Sequence, residues 1–187
     1  YGETKLIGEW MMADAEKAWG LRWAGLRYFN VAGAGWDDLG DMATLNLIPM
    51  VLDRLSKGET PKIFGTDYPT PDGTCVRDYI HVKDLAGAHI AALDYLAGGQ
   101  DMAEHIFNVG TGQGASVREV VSKVIASTGL DLEPEELARR AGDPPQLIGN
   151  ATRIGEVLGW KAEHDLDDIV TSSYTSWQAD PNRPHFG

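Results

Sequence analysis

The sequence predicts an α/β fold with some parallel sheet. Short apolar runs alternate with amphipathic helical stretches along the chain, and clusters of glycine and other turn formers separate them. No internal repeat or low-complexity segment interrupts that alternation.

Residues 2–18 are rich in Lys, Leu, Glu, Met and Ala and read as a helix that Gly20 closes. Residues 21–31, centred on Leu26-Arg-Tyr-Phe29, read as a buried strand. Residues 32–40 are small and glycine-rich, hence loop. A helix over 44–57 aligns Leu45, Ile48, Val51, Leu52 and Leu55 on one stripe, and Gly58 stops it. Residues 62–64 form a brief strand. The stretch 65–74, dense in Gly, Pro, Thr and Asp, is long for a loop in a compact domain, and such loops are functional or mobile.

Residues 76–82 resume extended structure. Asp84 is the expected N-cap of a helix that stacks Leu85, Ala88, His89, Ala92, Leu93 and Leu96, with His89 packed in the core and Gly98-Gly99 ending the run. A strand over 105–109 leads into Gly110-Thr-Gly-Gln-Gly114, whose glycines read as a turn at positive φ. Ser116-Val-Arg-Glu119 is a capping box opening a helix with Val117, Val120, Val121, Val124 and Ile125 on one side. Residues 131–138 have two readings: a helix beginning at Pro134, or an extended edge segment that tolerates the proline. A short helix over 153–158 and an amphipathic helix from Asp165, carrying Leu166, Ile169, Val170, Tyr174 and Trp177, complete the chain.

With 187 residues, 43% hydrophobic and 24% charged, the composition is that of an ordinary globular protein. The net charge of −12, from 28 acidic and 16 basic residues, argues against nucleic acid or an anionic membrane as partner. An anionic small ligand would need locally concentrated arginines. Cys75 stands alone, so no disulfide framework is expected and a reducing, cytoplasmic compartment is the natural reading. No apolar run approaches the roughly 18 residues that span a bilayer. The chain opens on Tyr1 inside what reads as a motif, so it is expected to be the C-terminal part of a longer protein.

Several residues carry candidate chemistry. Tyr1 and Lys5 lie one helical turn apart on one face, and a fixed cation beside a phenol favours the phenolate, the form that acts as a base. Arg77 leaves the long loop, and Arg139-Arg140 precedes Gly142-Asp143. Two converging guanidinium forks would hold a diphosphate; alternatively, each arginine pairs with a local acid such as Asp78 or Asp143. Asn30 ends its strand where an open α/β sheet presents ligands. Gly110–Gly114 only partly matches a dinucleotide fingerprint. The five histidines offer no metal-ligand spacing, so no metal is expected, and His81 reads as structural.

Tyr1-x-x-x-Lys5, Leu26-Arg-Tyr-Phe-Asn30 with Ala32-Gly33, Asn46-Leu-Ile-Pro49, Ile63-Phe-Gly65, the block over 67–82 and Arg139-Arg-x-Gly-Asp143 occur in that order. Together they closely resemble the UDP-glucose 4-epimerases of the extended short-chain dehydrogenase/reductase family, and the block over 67–82 is the specific part. The resemblance implies the C-terminal part of an extended, doubly wound Rossmann-type fold plus a smaller mixed α/β substrate-binding lobe. Residues 1–35 would end the NAD-binding Rossmann domain and 36–187 would form the lobe, with about 76–112 returning to the Rossmann sheet. It also implies epimerisation of UDP-glucose and UDP-galactose at C4 with bound NAD, through a 4-keto sugar.

In that scheme Tyr1 and Lys5 are catalytic and touch the cofactor, with Lys5 favouring the Tyr1 phenolate, and Phe29 lines the nicotinamide pocket. Asn30 reaches the substrate, Asn46 and Leu47 hold its phosphates, and Lys62, Ile63 and Phe64 frame the uracil. Arg77 and Arg140 clamp the diphosphate, Asp143 takes the ribose, and Leu147 stands at the position that gates bulky sugars. A homodimer is expected, and this stretch alone is expected to be inactive. Other NAD-dependent nucleotide-sugar epimerases, dehydratases or decarboxylases share parts of the pattern, as would a non-catalytic nucleotide-sugar-binding protein of the same fold. The segment between Asn30 and Asn46 is about four residues shorter than is usual in the family.

Overall fold

A computed structural model describes residues 1–41, 43–98, 104–184 and 186. Six helices and eight short strands alternate among them, as the sequence pattern requires. Helix α1 (Gly2–Trp19) ends where Gly20 takes a left-handed conformation (φ 67°) and returns its N–H to Glu16 O at 2.8 Å. Strands β1 (Gly25–Tyr28) and β2 (Asn30–Ala32) are one extended run interrupted at Phe29. On either side of that break the run changes partner. β1 pairs in parallel with β5 (Ile106–Val109), and β2 pairs in parallel with β4 (Val76–His81).

β4 is the hub of the second sheet. It also pairs antiparallel with β6 (Gly114–Ser116) and parallel with β8 (Gln146–Leu147). β3 (Lys62–Phe64) pairs in parallel with β7 (Glu135–Leu137), so the extended-edge reading of residues 131–138 holds and the helical one does not.

Two apolar clusters hold these layers. The larger gathers Ile48, Val51, Leu52 and Leu55 of α2 (Leu47–Ser56), Val120, Val121, Val124 and Ile125 of α4 (Val117–Thr128), and Ile169, Val170 and Trp177 of α6 (Leu166–Ala179), around Ile63 and Tyr79. These positions are the helical stripes of the sequence, which bury one face at about 1.5–3 kcal/mol per large side chain. The smaller cluster joins Ile80 of β4, Ala88 of α3 (Val82–Ala97) and Phe107 and Val109 of β5 to Ile154 of α5 (Thr152–Leu158) and Trp160.

Caps differ in detail from the expected ones. α2 begins after Asn46, so Leu45 lies outside the helix and is 84% exposed. Ser116 Oγ accepts the Glu119 N–H at 3.0 Å, while its own hydroxyl turns to Asp72. The reciprocal capping box forms on α6 instead, between Asp165 and Asp168. The cap of α3 is His81, whose ring accepts the Lys83 N–H, and not Asp84. Asp84 is drawn inward by tertiary partners and accepts from the N–H groups of Glu163 and His164 at 3.2 and 3.0 Å.

α3 is also rotated from its expected face. Ala88 and Ala92 are buried, Leu93 is exposed, and His89 is exposed with its ring on the Leu85 carbonyl, so His89 is not a core residue. Apolar residues lie on both sides of this helix, and hydropathy alone does not choose between them. Residue 99, the second half of the expected stop, lies outside the described residues.

β1 departs from the expected buried strand, because Arg27 and Tyr28 are exposed and Arg27 holds Glu9 of α1 in a bidentate pair at 2.6 and 2.5 Å. Of the Gly110–Gly114 glycines only Gly112 has positive φ (71°). Gly110 and Gly114 are there for space: a Cβ on Gly114 would meet Val76 and Ile148 at 2.5 Å.

The 65–74 loop is well tied. Tyr68 N–H donates to Gly73 O at 2.9 Å, Thr74 N–H donates to Asp72 Oδ1 at 2.9 Å, and Tyr68 and Thr74 are buried. Asp67 and Arg139 close it outside, with Arg139 also lying over the Tyr68 ring. Among the described residues no helix is long and apolar enough to cross a membrane.

Candidate functional site

The larger apolar cluster opens on one side into a cavity of about 290 Å³. β4 supplies two of its walls through simple alternation, since Arg77 and Tyr79 point the same way. α2 contributes Leu47, Met50, Val51 and Arg54, β3 contributes Lys62 and Phe64, and Arg140 and Asp143 close the rim with Asn30, Leu45, Cys75 and Val117. Arg54, Lys62, Arg77 and Arg140 therefore face one cavity that has Asp143 as its acidic lining residue. In a chain of net charge −12, that concentration of cations marks an anion site.

The cations are held in place. Arg77 is anchored by donating Nη1 to the Val76 and Pro144 carbonyls at 2.9 and 2.8 Å, with Nη2 3.8 Å from Asp143. Arg140 lies over Phe64, its guanidinium carbon 3.9 Å from the ring centroid, which lets the planar cation stack while its edge stays available. Lys62 sits 3.5 Å from Glu135, and Arg54 3.2 Å from Glu59. Arg77 thus touches a local acid and also lines the cavity. Tyr79 is 7% exposed, and burial pushes its phenol up to about 12, against the pull of neighbouring Arg77. At neutral pH it offers a hydroxyl, not a phenolate.

Of the residues expected from sequence, Asn30, Leu47, Lys62, Phe64, Arg77, Arg140 and Asp143 come together here. Asn30 donates its amide to Asp78 O at 3.2 Å. Asn46 stands just outside, at the N-cap of α2, with its amide on Asp41 at 2.8 Å. Ile63 turns its side chain fully into the core. Leu147, on β8 beside Arg77, is half exposed. Tyr1 and Lys5 lie away from the cavity lining on the first turn of α1, with Lys5 Nζ 5.1 Å from the Tyr1 ring centroid and Tyr1 95% exposed. Thr4 Oγ1 donates to the Tyr1 carbonyl at 2.7 Å and steadies that turn.

Arg54, Met50, Cys75 and Tyr79 are lining residues that sequence reasoning misses. For Tyr79 a signal exists, because a strand residue two positions from Arg77 shares its face. Arg54 is four residues beyond Met50 on α2, the spacing that places both on one helical face.

A second polar cluster lies at the start of α3. His81 Nδ1 accepts the Lys83 N–H, so the neutral ring carries its proton on Nε2 and donates it to Ser172 Oγ at 3.0 Å. Ser172 Oγ also accepts the Ala34 N–H at 3.1 Å, which ties the loop after β2 to α6. His164 stacks on His81 with 4.3 Å between centroids and contacts Asp84 at 2.8 Å. Burial first, and then His164, hold the His81 pKa below the usual imidazole value. Among the described residues no group of three or more His, Cys, Asp or Glu side chains is arranged to hold a metal.

Residues 1–110 match the model of the NAD dependent epimerase/dehydratase family. The chain belongs to that family. It is 48% identical over 182 residues to a UDP-glucose 4-epimerase of Azospirillum brasilense, an alignment covering 95% of this chain and 52% of that protein. The chain thus spans about half the length of the curated relatives it matches. Its fold superposes on the UDP-glucose 4-epimerase of Brucella ovis in complex with NAD with a TM-score of 0.85, at 43% identity, covering 93% of this chain and 55% of that one. The Bifidobacterium longum enzyme in complex with NAD+ and UDP gives 0.83 at 37% identity, covering 97% and 55%. The mixed α/β arrangement found here is therefore part of a Rossmann-like epimerase fold.

Proposed function

We propose that the protein carrying this chain is an NAD-dependent UDP-glucose 4-epimerase, interconverting UDP-glucose and UDP-galactose. The observation that carries the reading is the basic cavity, where Arg77 and Arg140 converge with Arg54 and Lys62 in an otherwise acidic protein. A UDP-sugar has the matching charge, with a diphosphate for the two forks and a flat base for the β3 edge at Lys62–Phe64. Asn46 and Leu47 add the N-terminus of α2, where unpaired amides favour an anion. Asp143 would take the ribose hydroxyls, Asn30 the sugar, and half-exposed Leu147 would limit the room beyond it.

Lys5, Tyr1 and Phe29 would serve a nicotinamide nucleotide. Lys5 and Tyr1 present a cation and a phenol on one face, and Phe29 packs on the glycine backbones of residues 110 and 149, leaving a flat apolar wall. NAD held there by Lys5, Tyr1 and Phe29 would supply reversible hydride transfer at the sugar C4. Tyr1 Oη takes the proton of the 4-hydroxyl and gives it back, as a general base and then a general acid. Lys5, whose ammonium lies beside the Tyr1 ring, would donate to the nicotinamide ribose. The NAD pyrophosphate would be held by the half of the protein that this chain does not span.

Residues 1–35 would close the cofactor-binding domain and 36–187 form the substrate lobe, with 76–112 returning to the first; the smaller apolar cluster around Phe107 and Ile80 supports that return, and Ile154 and Trp160 join it. The exposed Ile7, Trp10 and Met11 of α1 support packing against a second copy, giving a homodimer. A lone buried Cys75 suits a cytoplasmic address. The test is an assay of UDP-galactose formation from UDP-glucose by the full-length protein with NAD. Interconversion is expected, and its absence in a folded, NAD-loaded protein would refute the reading.

A further inference from the structure

We propose that Asp78 is a positioning residue for this site: its buried carboxylate fixes the two backbone turns on which Phe29 rests, setting the cofactor-side wall independently of the diphosphate pocket. The inference rests on the epimerase reading above.

Strand alternation turns Asp78 away from its neighbours. Arg77 and Tyr79 line the cavity, while Asp78 points to the opposite face of β4 and is completely buried. A carboxylate has about four acceptor sites, and here four donors reach it. Oδ1 accepts the N–H and the hydroxyl of Thr111 at 2.9 and 2.8 Å, and Oδ2 accepts the N–H groups of Gly112 and Gly149, each at 3.1 Å. All four donors are amides or a hydroxyl, from turns 33 to 71 residues away in sequence. One side chain therefore ties the turn after β5 to the segment after β8.

Those same turns seat Phe29. A Cβ on Gly110 would lie 3.2 Å from Phe29 Cδ2 and 2.6 Å from Asp78 Oδ2. A Cβ on Gly149 would clash with the side of the Phe29 ring at Cε2, 2.9 Å from Cζ and 3.0 Å from Cδ2. The aromatic ring thus lies directly on two glycine backbones, and Asp78 determines where those backbones are. The Asp78 carbonyl meanwhile accepts the Asn30 amide, so main chain and side chain of one residue hold both members of the Phe29-Asn30 pair. Phe29 stands where the β1–β2 run changes partner and lies outside both ladders. Burying a charge is costly unless every lone pair is satisfied, and an apolar residue at this position could not orient three amides.

The experiment uses the full-length protein loaded with NAD, its Asp78→Asn, Phe29→Ala and double variants, and two readouts, kcat for UDP-galactose and Kd for UDP. Asp78→Asn keeps the shape of the side chain but replaces one acceptor oxygen with an NH2 group, which faces two of the four donors and cannot accept from them. The substitution is expected to lower kcat about 10–100-fold, the cost of a displacement on the order of 1 Å, with UDP affinity changed less than about twofold. The double variant is expected to be no slower than Phe29→Ala alone, because Asp78 acts through Phe29. An unchanged kcat, additive losses in the double variant, or a parallel loss of UDP affinity would each overturn the assignment. If Asp78→Asn does not fold, Thr111→Val removes one donor, and roughly a 2–5-fold drop in kcat with unchanged UDP affinity is expected in its place; no drop overturns the proposal. A wild-type protein without epimerase activity sinks the functional reading itself, whereas an active wild type with an indifferent Asp78 sinks only this inference.

Discussion

The basic cavity and the Tyr1–Lys5 turn are built in opposite ways. The cavity is lined from five elements and the loops beside them, it stands on the larger apolar cluster, and its cations are pinned by carbonyls, acids and an aromatic face. Tyr1 and Lys5 share one turn of one helix, touch each other, and stand in the open. The basic cavity is thus a product of tertiary structure. The Tyr1–Lys5 pair is a local arrangement of one helical turn. The difference predicts that the two regions respond separately to mutation.

The largest effect is expected at the catalytic pair. Tyr1→Phe in the full-length protein should lower turnover by roughly 10²–10⁴, the range of general acid–base catalysis, with UDP affinity unchanged; full activity would remove Tyr1 from the mechanism. At the cavity the separation runs the other way. Arg77→Ala should weaken UDP about 10–100-fold by titration calorimetry, from the loss of charged hydrogen bonds of about 1.5–3 kcal/mol. Equal affinity would mean that Arg77 only braces the Pro144 segment.

Stability should divide along the same line. Ile169→Ala empties a fully buried position beneath the cavity and should cost about 2–5 kcal/mol in chemical denaturation. Trp10→Ala, on the exposed face of α1, should change the stability of the monomer by about 0.5 kcal/mol or less.

The smallest effect concerns pH. His81 is buried, and its folded pKa lies below the usual 6.5 because of burial and then His164. The unfolded chain binds the proton first as pH falls, so the stability that His81 contributes is complete above about pH 6.5 and is lost progressively below it. The groups that face His81 from the packed elements are Lys83 and Asp84 on α3, His164 just before α6, and Asp168 and Ser172 on α6. Melting temperature should fall between about pH 6.5 and 5, and His81→Gln should flatten that slope. An identical slope in the variant would assign it to other groups.

The helices are legible in the sequence because their signals are local. Apart from Leu45, which falls before α2, the stripes of α2, α4 and α6 and the Gly20 stop of α1 are where hydropathy and capping place them. Where two local readings are balanced, tertiary contacts decide. Pairing with β3 makes residues 135–137 a strand, and Glu163 and His164 draw Asp84 from the expected cap. The aromatic, apolar character of β1 resembles a core strand, yet Arg27 and Tyr28 face outward.

Of the cavity lining, Arg77, Arg140 and Asp143 are visible in sequence because they belong to short motif blocks. Tyr79 is not, although it shares a face with Arg77. The role of Asp78 is beyond reach, since its partners are scattered over residues 111, 112 and 149 and only the fold brings them together.

The central claim is that this chain builds a site for the diphosphate of a UDP-sugar, and competitive titration with UDP and uridine tests it most directly. With the full-length protein, UDP should bind at least about 100-fold more tightly than uridine, as two charged clamps of about 1.5 kcal/mol or more each require, and added salt should narrow the gap. Equal affinities for UDP and uridine would contradict the account.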